Sequence, residues 1–519
     1  MAKRLNILHI MVDQLTAFGL RHYGNPVCKT PNIDALAARG TLFENCYTNF
    51  PICAPARAAM LSGQLSTRIG VYDNASEFAS SIPTLAYYMS ALGYHTCLAG
   101  KMHFVGPDQM HGYQERLTTD IYPSDFGWTP NWKLSIPVGP IGLNLRSVVE
   151  SGTCRRSLQL DYDDDVAHRS IQRLYDYGRD PDAQPFFMTV SFTHPHNPYV
   201  IRQEYWDRYR DDEINEPHVG PIPYEQMDPH SQRLYTIYRY AEYDVKREDV
   251  LRARHAYYGM ISYVDDQIGR LLQALREMDM EDNTAVIFVS DHGDMLGERG
   301  LWYKWNLFEW SMRIPMIISI PGQQARRVKT PVSLLDLLPT CVDIGSDEEH
   351  PLKMVSPVEG TSLLPEVTGS GKLPPQRPVY GETTADGATS PCLMVRQGPW
   401  KLIHCPLDPP QLFNLDDDPH ETRNLAGLSD TAAIEESLMD LINRNWNVEQ
   451  LTRDVIRSCE QRIFIQNTRL QRNYPSWDYE PRKDPSKQYV RSGANVSATL
   501  VKGRARYPYV SPKTPDRKI

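Results

Sequence analysis

Residues 5–13 read LNILHIMVD, a mostly apolar run that ends on an acid. A run of this length without polar–apolar alternation is typical of a strand that is buried on both faces of a sheet. The runs PFFMTVSF, TAVIFVSD and RIPMIISI, at residues 185–192, 284–291 and 313–320, show the same pattern. Helical patterns lie between these runs. Alternation of this kind predicts an α/β fold with one large, mostly parallel mixed sheet that is flanked by helices.

Polar side chains follow several of the predicted strands. In open α/β sheets the functional site lies beyond the carboxyl ends of the strands, so side chains that follow different strands meet there. The residues that predict such a shared site are Asp13, Lys101, His103, His194, His196, Asp291 and His292. The carboxylates and an imidazole of this set could ligate one divalent cation. An acid at a strand end can also cap the next helix, and this is the role that we predict for Asp294.

The composition restricts the class of protein. The 519-residue chain has a formal net charge of −9 and 41% hydrophobic residues, enough for one large and one smaller domain. Mild acidity and the lack of a long basic run argue against nucleic acid as a partner. No apolar run is long enough to span a membrane, and the N-terminal run is predicted to be a strand rather than a signal peptide. Nine scattered cysteines without a CxxC pair predict mostly reduced, buried thiols and a cytoplasmic protein.

The pattern of the sequence changes after about residue 370. We predict a catalytic α/β domain over residues 1–370 and a small C-terminal α+β domain over residues 371–445, where short strands and turns replace the long apolar runs. Residues 446–519 are rich in Arg, Tyr and Pro and have too little apolar patterning for a core of their own. We therefore expect this extension to wrap around its own subunit or a neighbouring one.

The stretch PICAPARAAMLSG, residues 51–63, places a cysteine at the predicted start of a helix. Pro55 suits the first helical turn, and Gly63 suits the end of the helix. Because the N–H groups and the dipole at a helix N-terminus favour negative charge, Cys53 is a candidate for an activated sulfur or for contact with an anionic substrate. On this stretch alone, Cys53 would be interpreted as an ordinary buried thiol.

Five motifs together resemble the type I sulfatases of the alkaline-phosphatase-like superfamily. They are CAPAR with LSG at residues 53–63, GKMH at 100–103, PHNP at 195–198, SDHGD at 290–294 and LFNLDDDPHETRNLA at 412–426. The resemblance spans most of the chain. It implies an alkaline-phosphatase-like fold and the hydrolysis of a small-molecule sulfate ester.

The resemblance implies that Cys53 does not act as a thiol. In this family a formylglycine-generating enzyme oxidises the cysteine to formylglycine, an aldehyde that hydrates to a geminal diol. Pro55 and Arg57 belong to the modification signal, and Arg57 also holds the aldehyde hydrate. A hydroxyl of the hydrated residue then attacks the sulfur of the ester in line.

The resemblance also implies a divalent metal held by Asp13, Asp291, His292 and residue 53. Many sulfatases carry a second acid after the first strand and an Asn after the later Asp, whereas this sequence has Gln14 and His292. An all-oxygen ligand set favours Ca²⁺ or Mg²⁺, and an imidazole moves the preference towards Mn²⁺. We therefore expect Mn²⁺ or, as second choice, Ca²⁺. This arrangement also resembles that of the related phosphonate monoester hydrolases.

The resemblance also implies roles for the remaining motif residues, and these roles fit the negative charge that develops during the reaction. The transition state of sulfate ester hydrolysis gathers negative charge on oxygen, so cations should surround it. By the resemblance, Lys101 and Lys304 bind sulfate oxygens. His196 protonates the leaving alcohol, alone or with Lys304, and His103 takes a proton from the second hydroxyl so that sulfate is expelled. The residues predicted to be polar neighbours or structural are Gln14, Asn74 and His194.

Further stretches, such as YDNASEF at residues 72–78 and QYVRSGANVSATL at residues 488–500, resemble the bacterial choline sulfatases. This resemblance implies hydrolysis of choline-O-sulfate by a homodimer or homotetramer whose tails reach neighbouring sites. Trp128 would stack on the trimethylammonium group, and Asp386 would supply a carboxylate where a Glu is expected.

Other residues leave the substrate open. Leu143 stands where the choline enzymes place a polar ring, Ser497 replaces an expected Asp, and core packing also explains Trp128. An aryl sulfate, another alkyl sulfate, or a phosphonate monoester or phosphodiester are alternative substrates of the same machinery. The alternative outside catalysis is a sulfatase-like protein that keeps the thiol at residue 53 and binds anions without turnover.

Overall fold

The computed structural model describes residues 4–134, 144–180, 182–347, 350–481 and 506–508. Its strands are β1 (Asn6–Val12), β2 (Thr41–Tyr47), β3 (His95–Gly100), β4 (Glu115–Arg116), β5 (Gly152–Cys154), β6 (Phe186–Ser191), β7 (Val200–Arg202), β8 (Thr284–Ser290), β9 (Arg313–Ser319), β10 (Arg326–Val328), β11 (Val332–Ser333), β12 (Pro378–Thr383), β13 (Cys392–Gln397), β14 (Trp400–His404) and β15 (Gln411–Asn414). Its α-helices are α1 (Pro31–Arg39), α2 (Cys53–Ser62), α3 (Leu85–Ala91), α4 (Arg146–Val149), α5 (Leu158–Arg179), α6 (Gln203–Trp206), α7 (Pro229–Ile237), α8 (Arg247–Glu277), α9 (Glu309–Met312), α10 (Leu337–Gly345), α11 (Leu364–Thr368), α12 (Ala432–Asn445) and α13 (Val448–Leu470). Leu143 and Ser497, which bear on the substrate, lie outside the described residues.

One large sheet has β1 near its centre. The strand order is β10-β2-β9-β8-β1-β6-β3-β4, with β11 beside β2. β1 runs parallel to both of its neighbours, β6 and β8, whereas β9 is antiparallel to β2 and β8. This arrangement confirms the prediction of a mostly parallel mixed sheet flanked by helices.

Alternate residues of β1 enter two separate hydrophobic cores. Leu8, Ile10 and Val12 pack on one face of the sheet with residues of α1, α5 and α8. Ile7 and Met11 pack on the other face with residues of α2, α3 and α10. Because both faces are covered, every position of the strand is apolar or shielded, and the strand reads as a continuous apolar run.

Helix α2 begins at Cys53, as the stretch PICAPARAAMLSG predicted. It ends before Gly63, whose φ of 66° lies in the left-handed region that glycine favours. Residue 53 therefore lies at a helix N-terminus, close to backbone N–H groups that have no partner within the helix.

A second sheet, β12-β13-β14-β15, is antiparallel throughout. The register places Leu393 opposite His404, so Cys392 and Cys405 lie next to each other at the end of the β13–β14 hairpin, and they form a disulfide. This pair is an exception to the prediction of mostly reduced thiols. The other seven cysteines are free, and six of them are buried.

Helix α13 lies in the predicted C-terminal extension and packs against a short 3₁₀-helix, Phe126–Trp128. The predicted boundaries at residues 370 and 445 stay predictions. Within the described ranges, no helix is both long and apolar enough to cross a membrane.

Candidate active site

Two strand ends and one helix start meet beside residue 53. Asp13 directly follows β1, Asp291 directly follows β8, and Cys53 is the first residue of α2. With His292 they form a buried group in which one ligand atom of each residue lies within 4.8 Å of the others. The structure thus brings together the four residues that were predicted to hold a metal.

The sulfur of Cys53 is surrounded by nitrogen-bearing side chains. It lies 3.2 Å from Nε2 of His292, 3.4 Å from Nζ of Lys304 and 3.8 Å from Oδ1 of Asp13. Burial opposes ionisation of the thiol, but Lys101, Lys304 and His292 outweigh burial and hold the pKa of Cys53 well below its usual value. The site therefore stabilises negative charge on residue 53.

Arg57 lies one turn further along α2 and is buried. Its Nε donates to Oδ2 of Asp291 over 2.9 Å, and its Nη1 donates to the Lys101 carbonyl over 2.5 Å and to Oγ of Ser191 over 2.9 Å. Burial disfavours its charge, but Asp291 and Asp13 outweigh burial and raise the pKa of Arg57. Nη2 has no hydrogen-bond partner among the residues that the structure describes. A fixed cation with a remaining donor suits an anionic ligand.

Lys101 follows β3 and contacts Asp13. Its ammonium donates to Oδ2 of Asp13 and lies 4.3 Å from the ring centre of Tyr122. Burial and Cys53 favour protonation of Asp13, but Lys101 and the other nearby cations hold the pKa of Asp13 below its usual range. Burial lowers and Asp13 raises the pKa of Lys101, and the net shift is upward. Both groups are therefore charged near neutral pH.

Lys304 connects residue 53 to two other predicted site residues. Its ammonium donates to Oε1 of Gln14 over 2.7 Å and to Nε2 of His196 over 2.8 Å. Nδ1 of His196 lies 2.7 Å from the Asn197 carbonyl, so this nitrogen carries the hydrogen and Nε2 is left to accept. The structure thus joins a cation and a neutral imidazole beside Cys53.

His103 and Trp128 also lie at the site. His103 interacts with Cys53 and helps to lower its pKa. The backbone N–H of His103 donates to Oδ2 of Asp120 over 2.7 Å, and its ring meets Trp128 edge-on at a centroid distance of 5.8 Å. The ring centroid of Tyr122 lies 5.5 Å from that of His103 and 5.8 Å from that of Trp128. We call Tyr122 and Trp128 the aromatic wall.

Asn74 and Asp386 are connected to the site in different ways. Oδ1 of Asn74 accepts the backbone N–H of Ala54, in the first turn of α2, over 2.9 Å. Asp386 is linked through aromatic side chains, because the hydroxyl of Tyr238 donates to its Oδ2 over 3.1 Å and the Tyr238 ring lies 4.6 Å from Trp305. Asn74 thus contacts the helix that begins at residue 53, and Asp386 is joined to the site by an intervening aromatic pair.

Asp294 does not cap a helix, so that prediction is wrong. The chain after β8 forms turns, and Oδ1 of Asp294 accepts the backbone N–H groups of Leu296 and Tyr303 over 2.9 and 3.0 Å. Its Oδ2 accepts from Gln14 over 2.6 Å and from Tyr199 over 2.7 Å. The carboxylate closes this loop and orients Gln14 towards Lys304.

Asp120 and Tyr122 lie at the site but were not predicted. They lie in the stretch TTDIYPSDFGW, which has neither strand nor helix periodicity, so only its polar and aromatic content could have marked it. His194, which was predicted to be structural, has its Nδ1 2.6 Å from Oδ2 of Asp163 and is buried.

Comparison with known proteins gives similarity along almost the whole chain. Three family models match: Sulfatase over residues 5–346, N-sulphoglucosamine sulphohydrolase, C-terminal over residues 297–447, and Choline sulfatase enzyme C terminal over residues 453–507. The choline-sulfatase of Rhizobium meliloti (strain 1021) is 44% identical over 97% of this chain and 98% of that protein. The arylsulfatase of Clostridium perfringens (strain 13) is 32% identical over 69% of this chain and 77% of that protein.

The similarity extends to solved structures. The phosphonate monoester hydrolase of Agrobacterium radiobacter matches with a TM-score of 0.68 and 25% identity, over 85% of this chain and 96% of that chain. Acids, an imidazole and three cationic side chains gathered around one residue at the carboxyl edge of an α/β sheet define a hydrolase of anionic esters. The chain belongs to the sulfatase family and is a sulfuric ester hydrolase. The predicted family and fold class are confirmed.

Proposed function

We propose that this sulfatase hydrolyses choline-O-sulfate to choline and sulfate. The observation that carries the proposal is the position of the aromatic wall, Tyr122 and Trp128, next to the cations that surround Cys53. Aromatic faces attract a quaternary ammonium, and the cations attract the sulfate, so one site suits both ends of this substrate. Support comes from the match to the Rhizobium choline-sulfatase over nearly the full length of both chains.

The proposal includes conversion of Cys53 to formylglycine by a formylglycine-generating enzyme. The converted residue would supply a hydrated aldehyde, the nucleophile that the family resemblance implies. Its surroundings fit this role, because Lys304 and His292 lie 3.4 and 3.2 Å from the side chain and stabilise negative charge there. Arg57, one turn along the same helix, has an Nη2 without a hydrogen-bond partner among the described residues.

A divalent metal fits the group formed by Asp13, Asp291, His292 and residue 53. These residues are buried, and their ligand atoms lie within 4.8 Å of one another. Nδ1 of His292 lies 3.1 Å from the Gly293 carbonyl, so this nitrogen carries the hydrogen and the lone pair of Nε2 faces the group. Two carboxylates and an imidazole favour Mn²⁺ over Ca²⁺. When bound, the metal would act as a Lewis acid that stabilises negative charge on oxygen.

The chain's own residues supply the rest of the chemistry. Lys101 and Lys304 bind sulfate oxygens, since both ammonium groups lie within reach of residue 53. Lys304 and His196 together hand a proton to the leaving choline oxygen. His103 takes a proton from residue 53 when sulfate leaves. Gln14 holds the Lys304 ammonium in place through its Oε1.

Relative rates on three substrates test this function. The proposal expects the highest kcat/KM for choline-O-sulfate, measured as sulfate release. A higher kcat/KM for nitrophenyl sulfate would indicate an arylsulfatase. A higher value for a phosphonate monoester would point to the activity named for the Agrobacterium relative, which is similar in structure.

Assembly and location are further proposals. We propose a homodimer or homotetramer that forms through residues 446–519, in the cytoplasm. In the part of this region that the structure describes, four large apolar side chains are exposed in the single chain, which suits an interface between subunits: Phe464, Ile465, Leu470 and Tyr474. Light scattering of the full-length protein, compared with a chain truncated after Trp446, measures how much the residues beyond Trp446 contribute to the assembly of subunits.

A further inference from the structure

Helix α13 contacts the segment that carries Trp128. It packs against the short helix Phe126–Trp128, and its residue Arg462 has only 5% of its surface exposed. Arg453 and Arg457 of the same helix are exposed. A guanidinium is rarely buried unless it is paired, so we expect Arg462 to be held by specific partners in the segments around it.

All five N–H groups of Arg462 have acceptors. Nη1 and Nη2 donate to the two carboxylate oxygens of Asp73, each over 2.7 Å. Nη1 also donates to Oγ1 of Thr129 over 3.2 Å, Nε donates to Oγ of Ser458 over 3.2 Å, and Nη2 donates to Sγ of Cys459 over 3.4 Å. Only a guanidinium presents five donors in one rigid plane, so no other side chain can make this set.

Asp73 closes the turn that carries Asn74. Its Oδ1 accepts the backbone N–H of Ala75 over 2.9 Å and the hydroxyl of Ser76 over 3.2 Å. Asn74, the next residue along, accepts the backbone N–H of Ala54 over 2.9 Å. The carboxylate that receives Arg462 thus shapes a turn in direct contact with the start of α2, where residue 53 lies.

Thr129 directly follows Trp128 of the aromatic wall. Its hydroxyl donates to the carbonyl of Phe126 over 2.8 Å, and its backbone N–H donates to the same carbonyl over 3.1 Å. Thr129 therefore fixes the short helix that presents Trp128. Arg462 donates to the hydroxyl oxygen of Thr129, so one guanidinium contacts both the turn of Asn74 and the segment of Trp128.

We propose that Arg462 is a positioning residue for the substrate site. From the C-terminal helix it sets the distance between the Asn74 turn, which contacts the start of α2, and the segment that carries Trp128. It thereby fixes the aromatic wall relative to residue 53. The inference rests on the proposed function in one respect, because Trp128 is taken to face the cationic end of the substrate.

Lysine cannot take this place. Asp73 is buried, and without the guanidinium fork only one of its oxygens would receive a charged donor. A lysine has no planar group that could bond to Asp73 and Thr129 at the same time. Arg462→Lys therefore keeps the charge while it removes the bridge between the two segments.

Steady-state kinetics separate positioning from general stabilisation. We expect R462K to raise KM for choline-O-sulfate about tenfold, the effect of roughly one lost hydrogen bond to a charged group. KM for nitrophenyl sulfate should change much less, because its alcohol carries no cation to face Trp128. The matched control is R453K, an exposed arginine of the same helix, which should keep both KM values of the wild type.

Hydrogen exchange gives a readout that does not depend on catalysis. In R462K we expect faster exchange in peptides that cover residues 50–62, 72–78 and 126–132, with peptides from β1 and β8 unchanged. Should R462K fail to fold, the D73N/R462M pair removes both buried charges and receives the same two measurements.

The proposed substrate and the proposed positioning role of Arg462 can be contradicted independently of each other. A wild-type enzyme that does not hydrolyse choline-O-sulfate would overturn the substrate, while the exchange pattern would still decide the role of Arg462. Wild-type exchange in all three peptides would overturn the positioning role, and so would faster exchange throughout the protein, which indicates general destabilisation.

Discussion

Nζ of Lys304 donates to Nε2 of His196 over 2.8 Å, and this ammonium nitrogen lies 3.4 Å from the sulfur of Cys53. Burial, followed by the charge of Lys304, lowers the pKa of His196. The imidazole is therefore neutral near pH 7, and its Nε2 accepts the hydrogen bond from Lys304. We propose that the two side chains act as one proton donor, in which Lys304 supplies the proton and His196 orients the ammonium.

Removal of His196 should affect substrates according to their leaving group. Choline oxygen needs a proton to leave and nitrophenolate does not, and general acid catalysis contributes about 10²- to 10⁴-fold. We expect H196A to reduce kcat for choline-O-sulfate by at least about 100-fold, with a much smaller loss for nitrophenyl sulfate. The measurement is kcat for both substrates. Equal losses would argue against a donor role for the pair.

His292 should determine the preferred metal. An imidazole in the ligand set favours Mn²⁺, whereas the amide oxygen of His292→Asn gives an all-oxygen set that favours Ca²⁺ or Mg²⁺. We expect wild-type protein stripped with chelator to regain more activity with Mn²⁺ than with Ca²⁺, and H292N to reverse this order. Metal content measured by mass spectrometry should show one ion per chain. An unchanged order in H292N would exclude His292 as a ligand.

Trp128 can be tested as a contact of the choline cation. A cation–π interaction contributes about 0.5–2 kcal/mol, so W128L should raise KM for choline-O-sulfate by about 2- to 30-fold. KM for nitrophenyl sulfate should stay within about twofold, since its alcohol has no ammonium group to stack on the ring. If Trp128 only packs in the core, W128L would instead lower the unfolding temperature and affect both substrates alike.

His9 on the central strand should make stability depend on pH. Burial, followed by the charge of Arg57, lowers the pKa of His9 to about 3. The unfolded chain takes up this proton below about pH 6.5 and the folded chain does not, so stability falls as pH drops from about 6.5 towards 3, by up to about 1.4 kcal/mol per unit. The drop in unfolding temperature between pH 7.5 and about 5.5 should be smaller in H9Q than in the wild type. Substitution of the exposed His350 by Gln is the control and should leave the drop unchanged.

The large sheet and most of the site could be predicted because they depend on local sequence. A strand buried on both faces must be apolar throughout, and Asp13 and Asp291 stand immediately beyond such runs. The bounds of α2 also depend on local sequence, since Pro55 suits the first helical turn and Gly63 the helix end. The resemblance to the sulfatase family then implied a role for each of these side chains.

The parts that escaped prediction depend on contacts between distant segments. Arg462 and Asp73 are 389 residues apart, and neither lies in a periodic pattern that predicts a buried ion pair. Cys392 and Cys405 meet only because of the register of one hairpin. Tertiary packing decides such pairs, and the local sequence does not record it.

The chemical state of residue 53 decides whether this sulfatase uses the formylglycine chemistry that we propose. Mass spectrometry of the peptide that ends at Arg57, from active protein purified out of its native host, should show the lighter aldehyde form, and a carbonyl-reactive label should attach there. C53A should keep the unfolding temperature of the wild type, take up no label and hydrolyse no sulfate ester. An active preparation in which residue 53 is entirely cysteine would contradict the proposed formylglycine nucleophile.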